Sequence, residues 1–447
     1  MGIFHISDEI RPLVPLYVTM FLEAMGSGLV ASIINVVARN DLGCTGTQVG
    51  IIWTGFYLAQ VVGSIGSGYL SDRIRRKFVL MISLLWAAAG YTMTAFADSF
   101  EWFLVSRIFT GFYGGFSSVA IAILSANLPI DRLPTAIGRL GTVMSLGFAI
   151  GPLISTAISA IWGVEKVSPY YVRQLYFFVA ALVYVVASFC ASRMSRQITP
   201  EASRFLRESS GGQLTPGLIF VWTSRLFSTC GVTAIYVTQV LLWQDYFSLQ
   251  RVFVILMTTA SGLVVSVVQG LVFPALESRI GFHASLTFGI SLIAIANCLI
   301  APFAWTQSFP LHFCCLLLFW TGIGCMEPGT SVAVTRHLKS AHAICGTPSE
   351  CTKCVPCHVC KGWTIHAGLA MGVTSSMKYV AALAVPALAG FLYDQHGVLM
   401  YFFAAGLSAL GIVAVSLAWI YYNKQMVRLE GLSGVEIKHS SDKTSNV

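Results

Sequence analysis

Among the ionisable side chains within apolar stretches long enough to cross a bilayer, five stand out as charges well inside a run: Glu23, Arg107, Arg225, Glu327 and Lys378. A charge at bilayer depth costs at least ~2.5–3.5 kcal/mol on insertion scales, so such residues are candidates for binding ions or small molecules. Glu23 lies about eleven residues into the first apolar run, near mid-depth. An acid withdrawn from water can hold a proton at neutral pH and release it when water returns. Arg107 would act on that equilibrium when close; alternatively it pins helices through backbone carbonyls, and Glu23 is a buried packing acid. Glu327, followed by Pro328, and Lys378 form a second candidate pair. Glu327 could instead mark a helix end, and Lys378 could snorkel to the interface. Arg225 suits an anionic group on a substrate. The aromatic residues Phe56, Tyr57, Trp222, Tyr236 and Trp320 could line a cavity or face lipid.

The elements that position these residues follow from composition. Of 447 residues, 56% are hydrophobic and 10% charged, against about 25% charged in a soluble domain. Mean hydropathy is +0.75. The net charge of +8 invites a nucleic-acid reading, but the basic residues sit mostly in short loops between apolar runs, so no nucleic-acid partner is expected. Twelve runs span roughly 12–37, 46–67, 78–97, 101–126, 140–162, 174–192, 216–243, 252–275, 283–303, 309–334, 365–392 and 398–423. Each reaches or approaches the ~20 residues a membrane helix needs, and backbone groups in lipid must be satisfied internally. The chain is therefore an all-α membrane protein. Twenty of its 27 Lys and Arg fall in the terminal segments and even-numbered loops and four in odd loops, so both termini are expected in the cytoplasm.

Between runs 2 and 3 stands Gly68-Tyr-Leu-Ser-Asp72-Arg73-Ile-Arg-Arg76-Lys77, read as a tight turn. Glu277-Ser-Arg279 after run 8 is a worn copy, 206 residues on. Gly138 to Pro152 resembles Gly372 to Pro386 at an offset of 234, so the offset grows by 28 residues, close to the size of an odd segment around 340–364. The expected organisation is an N-terminal six-helix half over 1–192, a linker over 193–215, a C-terminal half over 216–423 carrying a cytoplasmic insertion at 335–364, and a tail over 424–447. Gly63-x-x-Gly66-x-Gly68, Gly111-x-x-Gly114-Gly115 and Gly147-x-x-x-Gly151-Pro152 allow close backbone approach and bending.

The Gly68–Lys77 stretch resembles the signature loop of the major facilitator superfamily, G-x-L-x-D-R-x-G-R-K, with Arg75 where that family usually has glycine. Glu23 before Gly26-Ser-Gly28, Arg107 to Gly111 and Gly147 to Pro152 are similar to the twelve-span drug:proton antiporters of the tetracycline-efflux type. This chain reads Ala31-Ser-Ile-Ile34 where those relatives usually carry prolines. The resemblance implies two six-helix repeats, a midplane substrate site and alternating access. Within that frame the ionisable groups inside spans, Glu23, Arg107, Arg225, Glu327 and Lys378, are the candidates for proton or substrate contacts, and the motif residues Gly68, Asp72, Arg73, Arg76, Lys77, Gly147, Gly151 and Pro152 are the candidates for gating. The expected activity is proton-coupled efflux of small amphiphilic molecules by a monomer in a plasma or organelle membrane, with no enzymatic function. Uncoupled passage of organic anions or metabolites, and a non-transporting scaffold, are the alternatives. No cofactor is required, but Cys351, Cys354, Cys357 and Cys360 repeat the C-x-x-C spacing that suits tetrahedral zinc. Reversible acylation and retained intron sequence are the competing readings of that stretch.

Overall fold

The computed structural model describes residues 11–44, 46–129, 132–162, 169–195, 212–248, 251–345, 364–365 and 367–433. Twelve helical spans long and apolar enough to cross a membrane account for nearly all of them. Span 1 is Val14–Val36, span 2 Gly46–Arg73, span 3 Arg76–Ala95, span 5 Leu133–Trp162 and span 6 Pro169–Ser192. Span 7 is Pro216–Asp245, span 9 Phe282–Trp305, span 10 Phe309–Cys345, span 11 Ala367–His396 and span 12 Met400–Ser433. The protein is a multi-pass membrane protein. Gly212–Gln213, at the end of the linker, forms a two-residue antiparallel bridge with Thr364–Ile365.

The burial pattern is that of a bundle in lipid. Along span 2, Leu58, Val62, Ile65 and Tyr69 recur at helical spacing and are exposed, while Ala59, Ser64 and Ser67 on other faces are buried. Large apolar groups face outward because lipid tails solvate them, whereas small residues sit where backbones meet. Within the N-terminal half, span 1 packs on spans 5 and 6, and span 3 on span 6. Within the C-terminal half, span 7 packs on span 12 and span 9 on spans 10 and 12. The halves meet through span 2 against span 11 and span 5 against span 8.

Four elements depart from the hydropathy reading. Span 4 is two helices, Phe100–Gly111 and Phe116–Asn127, separated at Gly115 with φ +93°, a conformation that favours glycine. Span 8 is Arg251–Val267, a π-helical segment Val268–Val272, and Phe273–Ile280. The expected turn at Gly68 to Lys77 is largely helix, with span 2 running through Arg73 and span 3 starting at Arg76. Span 10 runs through Cys345, so residues 335–345 continue the helix rather than opening the insertion. Its polar last turns extend beyond the apolar stretch, where hydropathy gives no helix signal. Cys351, Cys354, Cys357 and Cys360 lie outside the described residues.

Candidate functional site

Glu23 sits halfway along span 1 and is buried, 1% exposed. Gly147 and Gly151 of span 5 make that position tight: a Cβ at Gly147 would run into the Phe21 carbonyl, and one at Gly151 would lie 2.6 Å from the Met25 carbonyl. Pro152 lies within the same helix, leaving span 5 continuous. The Glu23 carboxylate accepts three hydroxyls on Oε1, from Ser27 at 2.9 Å, Tyr184 at 3.1 Å and Tyr113 at 3.4 Å. Ser27 Oγ also lies 2.7 Å from the Tyr184 hydroxyl, so spans 1, 4 and 6 meet in one cluster of hydroxyls around the carboxylate. Ser27 was within reach of the sequence, four residues from Glu23 on the same helix face. Tyr113 and Tyr184 carry no local signal.

Arg107 does not pair with Glu23. Its guanidinium, 2% exposed, lies over the Phe56 ring at 4.4 Å and near the Tyr91 ring at 5.7 Å. Tyr91 packs on Tyr184 with ring centroids 5.1 Å apart, so Arg107 reaches the Glu23 network only through two aromatic rings. Cation–π contact of this kind offsets part of the desolvation of a buried arginine.

The second pairing is also corrected. Glu327 is mid-helix in span 10, with Pro328 inside the helix, and its Oε2 accepts Arg225 Nη2 of span 7 at 2.7 Å. Arg225 is thereby engaged with a carboxylate of its own half instead of standing free for a substrate. Lys378 is exposed and, among the described residues, has no hydrogen-bond or ion-pair partner. Its face-mates Thr374 and Ser375 meet Trp222 of span 7 and Ser118 of span 4, which places it between the halves rather than at a lipid interface. Of the aromatic candidates, Tyr236 is exposed, Trp222 donates to Thr374 Oγ1 at 3.0 Å, and Phe56 and Trp320 are buried. Trp320 packs against Phe313 and is core.

The motif residues build the seam between the halves. Gly68 lets span 2 touch the start of span 11, where a Cβ would stand 2.6 Å from the Gly368 carbonyl. Asp72 accepts the backbone N–H groups of Gly368 at 3.0 Å and Leu369 at 2.9 Å, the unsatisfied donors of a helix N-terminus. Arg76 lies 3.8 Å from Asp72 and donates to the Ala122 carbonyl at 2.6 Å near the end of span 4. Lys77 donates to the Ser192 and Met194 carbonyls at 2.5 and 2.9 Å, closing the end of span 6. Arg73 is exposed and lies over the Tyr69 ring at 4.5 Å, outside the seam. Ser64 meets Ser376 at 2.6 Å and Ser118 meets Ser375 at 2.7 Å, extending the closure inward. On the other side, Ser145 donates to Gln269 Oε1 at 3.0 Å, and Thr142 and Ser266 exchange hydroxyl-to-carbonyl bonds at 3.1 and 3.0 Å. Gln269 belongs to the π-helical turn of span 8, a feature hydropathy does not reveal. The worn copy of the motif behaves differently: Glu277 pairs with Arg336 of span 10 at 2.5 Å, inside its own half.

Comparison with known proteins agrees with this geometry. The Major Facilitator Superfamily profile matches residues 16–346. An uncharacterized MFS-type transporter of Methanocaldococcus jannaschii is 31% identical over 169 residues, 38% of this chain and 43% of that protein. Multidrug resistance protein 1 of Bacillus subtilis (strain 168) is 22% identical over 408 residues, 90% of this chain and 95% of the relative. The quinolone resistance protein NorA of Staphylococcus aureus is 29% identical over 138 residues, 31% of this chain and 35% of that protein. Among solved structures, the human organic anion transporter MFSD10 (TETRAN) superposes with a TM-score of 0.64 at 18% identity, over 92% of this chain and 100% of that one. The proton:xylose symporter XylE gives 0.63 at 12% identity, over 92% and 95%. With two six-span halves meeting at a motif-built seam, the chain belongs to the Major Facilitator Superfamily and is a membrane transporter, not an enzyme.

Proposed function

We propose that this transporter is a proton-coupled antiporter exporting small amphiphilic molecules by alternating access, with its basic loops and both termini in the cytoplasm. One observation carries the reading. Glu23 is buried at mid-depth, surrounded by hydroxyl donors, and has no cation within ion-pair distance among the described residues. An ionised carboxylate there is hydrogen-bonded but uncompensated, whereas the protonated acid is neutral, so the group is built to change its charge with its surroundings. The seam closed by Asp72, Ser64 and Ser118 then represents the state shut toward the cytoplasm. In antiport, a neutral or cationic cargo occupies the site after Glu23 has given up its proton, and the returning proton displaces it.

The energetics suffice for accumulation. One proton entering gains ~2.3 kcal/mol per 100 mV and ~1.4 kcal/mol per pH unit. Together these support a substrate gradient of roughly several hundredfold, since ~1.4 kcal/mol is tenfold. The test is Glu23→Gln in proteoliposomes with an imposed pH gradient and a fluorescent amphiphilic cation as cargo. The variant is expected to lose uphill accumulation while keeping downhill exchange. Uphill transport at the wild-type level would exclude Glu23 as the coupling site.

A further inference from the structure

One charged side chain near the centre of the described structure is exposed and lacks a hydrogen-bond or ion-pair partner. Arg225 is ion-paired with Glu327 through one nitrogen, Arg107 is buried against aromatic rings with Nε and Nη1 unpartnered, and Glu23 is hydrogen-bonded by three hydroxyls. Lys378 has neither a hydrogen bond nor an ion pair among the described residues, yet it is exposed. Its direction follows from its helix. Residues three, four and seven apart share a helix face. Thr374, four residues before Lys378, receives the Trp222 indole of span 7. Ser375 and Met371, three and seven residues before it, meet Ser118 of span 4 in the other half. Lys378 therefore projects into the sector between span 7 of its own half and span 4 of the other, one turn beyond the closed seam. From there its charge acts on Glu23 of span 1 and on Glu327 of span 10.

We propose that Lys378 is the receptor for an anionic group, a carboxylate or sulfonate, on amphiphilic molecules this protein admits besides the neutral or cationic cargo of the antiport cycle, and that the anion binds while Glu23 holds its proton. An ammonium in the membrane interior with no protein counter-charge is left for a ligand to neutralise. A charge-assisted bond from it is stronger than a neutral one. The remaining ionisable neighbours do not take the ligand's place on Lys378. Glu327 is committed to Arg225, Arg107 adds positive charge, and the hydroxyls of Tyr57, Tyr113, Tyr184 and Tyr379 are neutral acids at physiological pH. Glu23 is the exception: once ionised it offers Lys378 a rival carboxylate. The exposed Tyr236 ring, whose hydroxyl feels the charge on Glu327, supplies apolar surface on the same side. The inference rests on Glu23 as the proton site but not on the direction of coupling. For an anionic cargo, proton and substrate occupy the site together and cross together, whereas a neutral or cationic cargo leaves antiport intact.

The experiment uses the purified full-length protein, with 2-naphthalenesulfonate, which stays charged at all working pH values, and its uncharged isostere 2-naphthalenesulfonamide. The wild type is expected to bind the sulfonate about tenfold or more tightly than the sulfonamide, the value of one charge-assisted contact. Lys378→Gln should abolish that preference and Lys378→Arg should keep it. Should Lys378→Gln fail to insert, Lys378→Met reads the same preference. Sulfonate affinity of the wild type is expected to fall as pH rises, and that of Glu23→Gln to stay level. A wild type that does not prefer the sulfonate, or a preference surviving in Lys378→Gln or Lys378→Met, overturns the assignment of Lys378. A pH response shared by wild type and Glu23→Gln, or absent from both, overturns the link to the proton. Uphill transport by Glu23→Gln would refute the antiport reading while leaving the sulfonate preference of Lys378 standing.

Discussion

Asp72→Asn is expected to loosen the seam without disturbing either half. Asp72 is buried, and its carboxylate accepts two N–H groups at the first turn of span 11, one per oxygen. Asparagine keeps one acceptor and turns an NH2 toward the other donor. The loss is one charge-assisted hydrogen bond, about 1.5–3 kcal/mol, and the attraction of a carboxylate for a helix N-terminus, about 0.3–1 kcal/mol. Even a net loss of about 2 kcal/mol shifts the closed-to-open ratio about 30-fold. Arg76 retains the Ala122 carbonyl, so span 3 stays anchored to span 4. The assay is hydrogen–deuterium exchange on a peptide containing Gly368 and Leu369, whose amides are the donors. Their exchange should rise by an order of magnitude or more, while peptides from the buried span 1 around Glu23 stay protected. Unchanged exchange at Gly368 and Leu369, with unchanged turnover, would refute the role given to Asp72.

Two further outcomes are expected. Gly151→Ala places a Cβ 2.6 Å from the Met25 carbonyl and should lower the melting temperature through an overpacking cost of about 1–3 kcal/mol. Gly66→Ala, with nothing within 4 Å, should not lower it; equal melting of the two variants would show that spans 1 and 5 are not held that closely. The cysteine-rich stretch is proposed to bind zinc through Cys351, Cys354, Cys357 and Cys360 without serving transport. The full-length protein should carry zinc that is lost when residues 346–363 are deleted, and the deletion variant should still transport. Zinc-free protein reconstituted without metal uptake, or a deletion variant that inserts but does not transport, would contradict one half of that statement each.

The sequence alone determined the spans, the two halves and the identity of the charged residues worth asking about. Lipid tests a segment locally: a run of apolar residues either clears the ~20 needed or does not, and a charge such as Glu23 or Lys378 inside such a run stands out wherever it ends up. The motif from Gly68 to Lys77 was legible for the same reason, because its residue types and order are local. Pairing was not. Sequence alone sets Glu327 beside Lys378, and the ion pair went to Arg225, 102 residues away on span 7. Tyr113 and Tyr184 reach Glu23 from 90 and 161 residues away, from positions that read as ordinary apolar span. Those contacts depend on how closely the helices approach. That approach is set by glycines such as Gly147 and Gly151 meeting a neighbouring backbone, which hydropathy does not register. The tertiary structure therefore decided that Glu327 is ion-paired with Arg225 while Lys378, with no hydrogen-bond or ion-pair partner among the described residues, faces the space between the halves.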